Sequence, residues 1–201
     1  MTEHVKFVLS YLHNKSNGIF IDVGASDGIT YSNTYDLEKL FNWTGICIEP
    51  HPNAFKNLIK NRSSINLNIA INMSEIDEEF WQIDGYSEML SGFASNYDSR
   101  HKTRILQEVQ DRNQNLTKIK VPIDKLSNIL KNYNTVDYLS IDVEGSELNV
   151  LQTIDFTKTL INIISVEDNY NEKICENFLT SHNYQFARRI GLDDFYVKGN
   201  L

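Results

Sequence analysis

The sequence predicts a doubly wound α/β fold: one open, mostly parallel sheet of seven strands with its last strand antiparallel, in a single domain over residues 1–201. Three observations predict it. The run Ile19-Phe20-Ile21-Asp22-Val23 has the apolar density of a buried strand, and it enters a turn carrying Gly24 and Gly28 before a helix. The run Gly45-Ile46-Cys47-Ile48-Glu49 reads as the next strand and ends in one acid. Strand and helix patterns then alternate along much of the chain, and parallel neighbours need such crossover helices.

Val5, Phe7, Val8, Tyr11 and Leu12 recur at near-helical spacing, so a leading helix is expected over 3–14 within the segment 1–16, closed by Asn17-Gly18. After strand one, Tyr35, Leu37, Leu40 and Phe41 give 32–41 an apolar face, with Asp36 and Glu38 suited to a helix N-terminus. Pro52 opens the next helix where a missing N–H is harmless, and that helix closes near Asn61-Arg62. Strand three is expected at 65–71. Alternation then lapses. Residues 72–115 form an insertion with an acidic segment, a strand at 79–83, a polar loop at 85–93 and a helix at 99–112 with a weak apolar face. Such an insertion is a lid or a structural addition. A strand at 118–122 and a helix capped by Asp124 follow. Strand four is expected at 136–143, a helix at 146–153, strand five at 161–167 and a helix at 171–182. Strands at 185–190 and 193–197 are joined by Gly191-Leu192, short enough for an antiparallel hairpin.

With 41% hydrophobic residues the chain can build one core. A net charge of −8 argues against a surface that coats nucleic acid, since phosphate binding needs clustered Lys and Arg. The basic stretches Arg100-His101-Lys102-Thr103-Arg104 and Arg188-Arg189 read as solvated faces. Cys47 and Cys175 stand far apart in a strand and a helix, so buried free thiols are expected. The N-terminus lacks an apolar signal core and no apolar run can span a bilayer, so the expectation is a soluble, cytoplasmic protein with no membrane partner. Oligomeric state is not legible.

Ligands of open α/β sheets bind beyond the carboxyl ends of the strands, where the strand order switches. Strands one and four are expected to flank that point, which would set Asp22 and Gly24 opposite Asp142 and Glu144 in one crevice. A dinucleotide-binding turn packs backbone N–H groups against a pyrophosphate through Gly-x-Gly-x-x-Gly. Here only Gly24 and Gly28 are present, and the carboxylates of Asp22 and Asp27 would repel a pyrophosphate. They suit a ligand with an ammonium and a sulfonium, S-adenosylmethionine. Glu49 is placed to accept both ribose hydroxyls; the plainer reading is an ordinary exposed strand-end acid. Ala70, Ile71 and Asn72 would border the adenine, with Asn68 and His51 as further rim residues.

The segments Phe20 to Gly28, Tyr31-Ser32-Asn33-Thr34, Glu38, Trp43 to Pro50, Asn61-Arg62 and Asp137 to Glu147 together resemble the FkbM-type methyltransferase family, over about residues 17–198. The block Ile141-Asp142-Val143-Glu144-Gly145-x-Glu147 carries the specificity, whereas the Asp-x-Gly-x-x-x-Gly turn marks class I methyltransferases in general. The resemblance implies a class I, Rossmann-like fold and S-adenosylmethionine-dependent O-methylation of a sugar, glycan or small metabolite hydroxyl. It implies cofactor contacts at Asp22, Gly24, Ala25, Ser26, Asp27, Gly28, Asn33, Thr34, Glu49, Pro50, Ala70 and Asp142. Tyr31, Asn33 and Thr34 would line the methionine end, although Asn33 would also serve as a helix cap.

Methyl transfer is an in-line displacement from a sulfonium, which leaves the protein to position the acceptor and remove its proton. A sugar hydroxyl is a poor acid, so a base or a metal is wanted. Asp142, Glu144 and Asp168 are the catalytic candidates, and Glu167 adds a further strand-end oxygen ligand. Asp142 with Asp168-Asn169 is similar to the Mg²⁺ site of catechol O-methyltransferase-like enzymes, and hard oxygen ligands favour Mg²⁺ or Ca²⁺. The plainer readings are that Asp142 caps the next helix, Glu147 sits in its first turn and Asp168-Asn169 is a turn. His101 is either a base supplied by the insertion or a surface histidine. Residues 85–104, with Tyr86, Ser87, Ser91, Tyr97 and Arg100, suit a polar acceptor. Two other functions compete. A nicotinamide-dependent oxidoreductase is opposed by the glycine spacing, and a non-catalytic binding module by the intact Asp22, Gly24, Glu49, Asp142 and Glu144.

Overall fold

A computed structural model describes residues 1–73 and 79–199. In chain order, α1 (Glu3–Tyr11) precedes β1 (Ile19–Val23), α2 (Tyr35–Phe41), β2 (Thr44–Ile48), α3 (Pro52–Asn61), β3 (Ile65–Leu67) and β4 (Ala70–Ile71). The insertion holds β5 (Phe80–Asp84), β6 (Gly92–Phe93), α4 (Ser99–Asp111) and β7 (Asn115–Ile119). Then come β8 (Ile123–Asp124), α5 (Leu126–Ile129), β9 (Thr135–Ile141), α6 (Glu147–Gln152), β10 (Leu160–Glu167), α7 (Ile174–Ser181), β11 (Tyr184–Ile190) and β12 (Asp193–Lys198).

The main sheet has seven strands in the order β11-β12-β10-β9-β1-β2-β3. β12, the last in sequence, runs antiparallel to both of its neighbours, and the pairs among β10, β9, β1, β2 and β3 are parallel. The order reverses between β1 and β9, which pair through Phe20 to Val23 and Tyr138 to Ile141, as the apolar runs imply. Strand alternation splits the core between two faces. Ile21, Val23, Ile48, Leu139, Ile141 and Val166 pack with Val150, Leu151 and Leu179 on one face. Phe20, Cys47, Tyr138 and Phe195 pack with Val5, Val8, Leu37 and Leu58 on the other. Each such side chain stabilises the fold by about 1.5–3 kcal/mol relative to exposure. Cys47 is buried and Cys175 half-buried, and both thiols are free.

Several sequence boundaries shift, each for a local reason. The third strand leaves the sheet after Leu67 because the Asn68 amide donates to the Glu49 and Pro50 carbonyls, at 2.8 and 3.1 Å, and turns the chain. Ala70 and Ile71 then pair with Ile123 and Asp124. Asp124 is therefore a strand residue and not a cap; the N–H of Leu126 instead donates to Thr153 Oγ1. α1 ends at Tyr11 because His13 and Asn14 have positive φ, and Asn171 and Lys173 delay α7 in the same way. α2 begins at Tyr35, behind Ser32, whose hydroxyl accepts from the Thr34 and Tyr35 N–H groups.

In the insertion, β6, β5 and β7 form an antiparallel sheet, and Trp81, Ile83, Leu90, Tyr97 and Ile105 form a small core with α4. The polar loop contains a 3₁₀ turn at Glu88–Leu90 as well as β6. The expected acidic segment falls mainly on 74–78, outside the described residues. Among the described residues no helix is long and apolar enough to cross a membrane.

Candidate active site

A cleft of about 690 Å³ opens at the carboxyl ends of β1, β2 and β9, lined at its base by Val23, Gly24, Ser26, Glu49, Pro50, His51, Asp142 and Glu144. Gly24 has φ +88°, and a Cβ there would lie 1.7 Å from the Asp142 carbonyl oxygen. Only glycine lets the two strand ends come this close. Glu49 is 7% exposed. Its Oε2 accepts from the Ser26 N–H at 2.8 Å and its Oε1 from the His51 N–H at 2.7 Å. Burial pushes its carboxyl up to about 7 in spite of those two donors.

The opposite wall of the cleft is apolar, formed by Ile69, Ala70, Ile71, Phe80 and Phe93. Phe80 and Phe93 meet edge to face with centroids 5.6 Å apart, and both come from the insertion. Sequence reasoning finds Ala70 and Ile71 but misses this aromatic pair, because nothing local says that the insertion folds back over the cleft. His51 is committed elsewhere: Nδ1 accepts from the Asn53 and Ala54 N–H groups, and Nε2 donates to the Ile83 carbonyl. Asn72 is buried, with its side-chain oxygen accepting from the Met73 N–H, and it does not line the cleft.

Half of the expected cofactor residues do not line the cleft. Asp22 faces away from the cleft into a buried network in which Thr34 Oγ1 donates to it and Arg62 approaches to 3.8 Å. The strand's alternation decides this, since Val23 takes the cleft side. Burial raises the Asp22 carboxyl even with Arg62 near. Burial also acts on Glu38, but the bond from Arg62 Nε at 2.7 Å and the Ser63 N–H together hold Glu38 near about 2. Asp27 accepts from the Ile29 and Thr30 N–H groups and so closes its own turn. Gly28 rests on Arg62, whose Cγ would lie 2.6 Å from a Cβ there. Ala25 is buried in the second core, Asn33 reaches Ser140 Oγ at 3.3 Å, and Tyr31 is 83% exposed. Acid does line the cleft, but from Glu49, Asp142 and Glu144 and not from Asp22 or Asp27.

A second cleft, about 1150 Å³, adjoins the first over the end of β10 and is lined by Tyr97, His101, Glu147, Glu167, Asp168 and Tyr170 among others. Oxygens of Asp142, Glu144 and Glu167 lie within 4.8 Å of one another at the boundary. Burial, then Asp193 and Glu147, push Asp142 up to about 7. Burial and Asp142 push Glu144 up to about 8, and burial with Asp142 and Glu144 push Glu167 up to about 10. The Glu144 backbone is left-handed at φ 55°, an uncommon state for a non-glycine residue, followed by Gly145 at φ 98°. Glu147 fixes this loop by accepting from the Val143 and Gly145 N–H groups.

The close group of acid oxygens at this point is Asp142, Glu144 and Glu167, and Asp168 is not in it. Asp168 Oδ1 accepts from the Tyr170 and Glu172 N–H groups, and Asn169 donates to Glu167 Oε2 at 2.7 Å, so Glu167 takes the position beside Asp142. Asp168 Oδ1 thus closes the turn that the plainer reading expects. His101 is 1% exposed and is not a surface histidine, while Arg100, Lys102 and Arg104 around it are exposed. Its Nε2 lies 3.4 Å from Glu144 Oε2, and neither atom has a hydrogen-bond partner. α4 is strapped over the second cleft by Arg100, which bonds Glu172 and covers the Tyr170 ring at 4.1 Å, and by Asn96, which donates to Ser146.

Two solved methyltransferases align with the chain at TM-scores below 0.5. One is a proposed RNA methyltransferase, PH1948 from Pyrococcus horikoshii, at 12% identity and TM-score 0.46, covering 98% of this chain and 83% of that one. The other is the precorrin-6y C5,15-methyltransferase of Geobacter metallireducens GS-15, at 11% identity and TM-score 0.47, covering 96% of this chain and 85% of that one. No curated relative matches. The family described as Methyltransferase FkbM domain matches residues 22–188, which take in both clefts' strand ends and the whole insertion, and the chain belongs to that family.

Proposed function

We propose that the protein is an S-adenosylmethionine-dependent O-methyltransferase whose acceptor is a hydroxyl of a sugar, glycan or small polar metabolite. The observation that carries this reading is the pair of adjoining clefts with Asp142, Glu144 and Glu167 at their boundary. The lining of the first cleft supports the donor reading. Ala70, Phe80 and Phe93 offer an apolar wall for a purine. Glu49 keeps free lone pairs on both oxygens for two vicinal ribose hydroxyls, beyond the backbone N–H groups it already serves. Asp142 supplies the acid that an α-ammonium wants. The bound donor contributes an electrophilic methyl on a positively charged sulfur.

The chain's own work is to bring the acceptor oxygen in line and take its proton. Glu144 faces the first cleft and His101 the second, which sets two proton acceptors at the junction. The contact of Arg100 with Glu172 and Tyr170 ties the insertion helix to the far side of the second cleft. Its lining of Glu147, Glu167, Asp168 and Glu172 favours neutral, hydrogen-bonding acceptors over phosphorylated ones.

Calorimetry with S-adenosylhomocysteine and NAD tests the donor, and a labelled-methyl screen of sugars, nucleotide sugars and small phenols tests the acceptor. Saturable S-adenosylhomocysteine binding and label on a neutral polyol are expected. Binding of NAD alone would overturn the donor; label on nitrogen alone would overturn the acceptor class.

A further inference from the structure

We infer that Asp142, Glu144 and Glu167, flanked by the His101 imidazole, form a site for one hard divalent cation, Mg²⁺ or Mn²⁺, in the wall between the two clefts. The carboxylate oxygens come from a strand end, a left-handed loop residue and a second strand end, and they converge within 4.8 Å. Elsewhere the protein answers its withdrawn acids with cations or paired backbone donors, Lys15 on Asp137 at 2.7 Å, Arg62 on Glu38 and two N–H groups on Glu49, whereas here the one side-chain donor is the Asn169 amide on Glu167. Among the described residues no Lys or Arg forms an ion pair with Asp142, Glu144 or Glu167, and the group that approaches Glu144 is the His101 imidazole at 3.4 Å.

His101 is the independent observation. Its side chain is 2% exposed, and Nε2 points at Glu144 Oε2 from 3.4 Å without making a hydrogen bond. Neither atom is met by a hydrogen-bond partner from the protein. A cation with several coordination positions meets them both. Three carboxylates select a hard ion, and one neutral imidazole at the flank extends the choice from Mg²⁺ to Mn²⁺. The other close group, His51, Asp84 and Glu88, is different: both His51 nitrogens are occupied and Asp84 accepts from Asn53 and Gln82. Its catalytic meaning, acidifying a hydroxyl held at the boundary, rests on the methyl-transfer reading; binding of the ion does not.

The test is titration of the full chain with Mn²⁺, following loss of the free-ion electron paramagnetic resonance signal, with no donor or acceptor present. One site per chain is expected, displaced by excess Mg²⁺. Glu144→Gln and Glu167→Gln should each weaken it by about tenfold or more, and His101→Ala by less, with Asp84→Asn unchanged. Absence of Mn²⁺ uptake by the wild-type chain, or uptake unaltered in folded Glu167→Gln, would overturn the site. Calorimetry with S-adenosylhomocysteine on the same metal-free sample keeps the two readings apart. Nucleoside binding without Mn²⁺ uptake removes the cation site alone, and Mn²⁺ uptake without nucleoside binding supports the site while removing the donor.

Discussion

Gly24 and Asp142 back onto each other so closely that a Cβ on Gly24 would sit 1.7 Å from the Asp142 carbonyl oxygen. The two residues end neighbouring strands at the switch in strand order, where the Asp142 N–H also donates to the Val23 carbonyl at 3.0 Å. Gly24→Ala must force these strand ends apart as well as strain φ at +88°. A loss of about 3 kcal/mol or more in denaturant unfolding is expected, with donor binding impaired even in the folded fraction.

Glu49→Ala removes the acceptor that would take the ribose hydroxyls. A charge-assisted pair of hydrogen bonds contributes about 1.5–3 kcal/mol, so S-adenosylhomocysteine affinity should fall roughly tenfold to hundredfold by calorimetry. Unchanged affinity would remove Glu49 from the donor site.

Arg62 joins Asp22, Thr34, Glu38 and the Gly28 carbonyl, and its side chain is wholly buried. Arg62→Ala leaves two acids without their cation, and breaking a buried pair in this way costs about 3–5 kcal/mol. The loss should appear in the melting temperature, and it should be larger than the loss from Arg100→Ala, whose side chain is half exposed.

Glu49 and Asp142 titrate near about 7 and Glu144 near about 8, all above their ordinary values because of burial. Between the unfolded and folded values the folded chain holds more protons, so unfolding free energy falls as pH rises. The ligand-free protein should be most stable near about pH 5 and lose melting temperature steadily to about pH 8, where these acids must ionise in place. A flat profile measured by differential scanning calorimetry across this range would contradict the burial of the acids.

The parallel core was legible because each central strand is a dense apolar run ending in a distinctive acid: Ile19 to Val23, Gly45 to Glu49 and Val136 to Val143. Glu49 was legible for the same reason. Asp22 was not, because one residue of strand parity turns it from the cleft to the Arg62 network, and parity at a strand end depends on the loop packed above it. Asn68 breaks the third strand through side-chain bonds to Glu49 and Pro50, contacts that adjacent residues do not signal. Glu167 outranks Asp168 because the latter is occupied in closing a turn. The placement of Phe80, Phe93 and His101 depends on pairing β5 with β7 across the insertion, which has no local signature.

The insertion sends Phe80 and Phe93 to one cleft and Tyr97 and His101 to the other. On the proposed reading, nucleoside affinity and acceptor choice would therefore be inherited together. Transplanting residues 80–119 from a relative with a different acceptor would carry that relative's donor affinity along with its selectivity, and sequence drift in this one segment would change both at once.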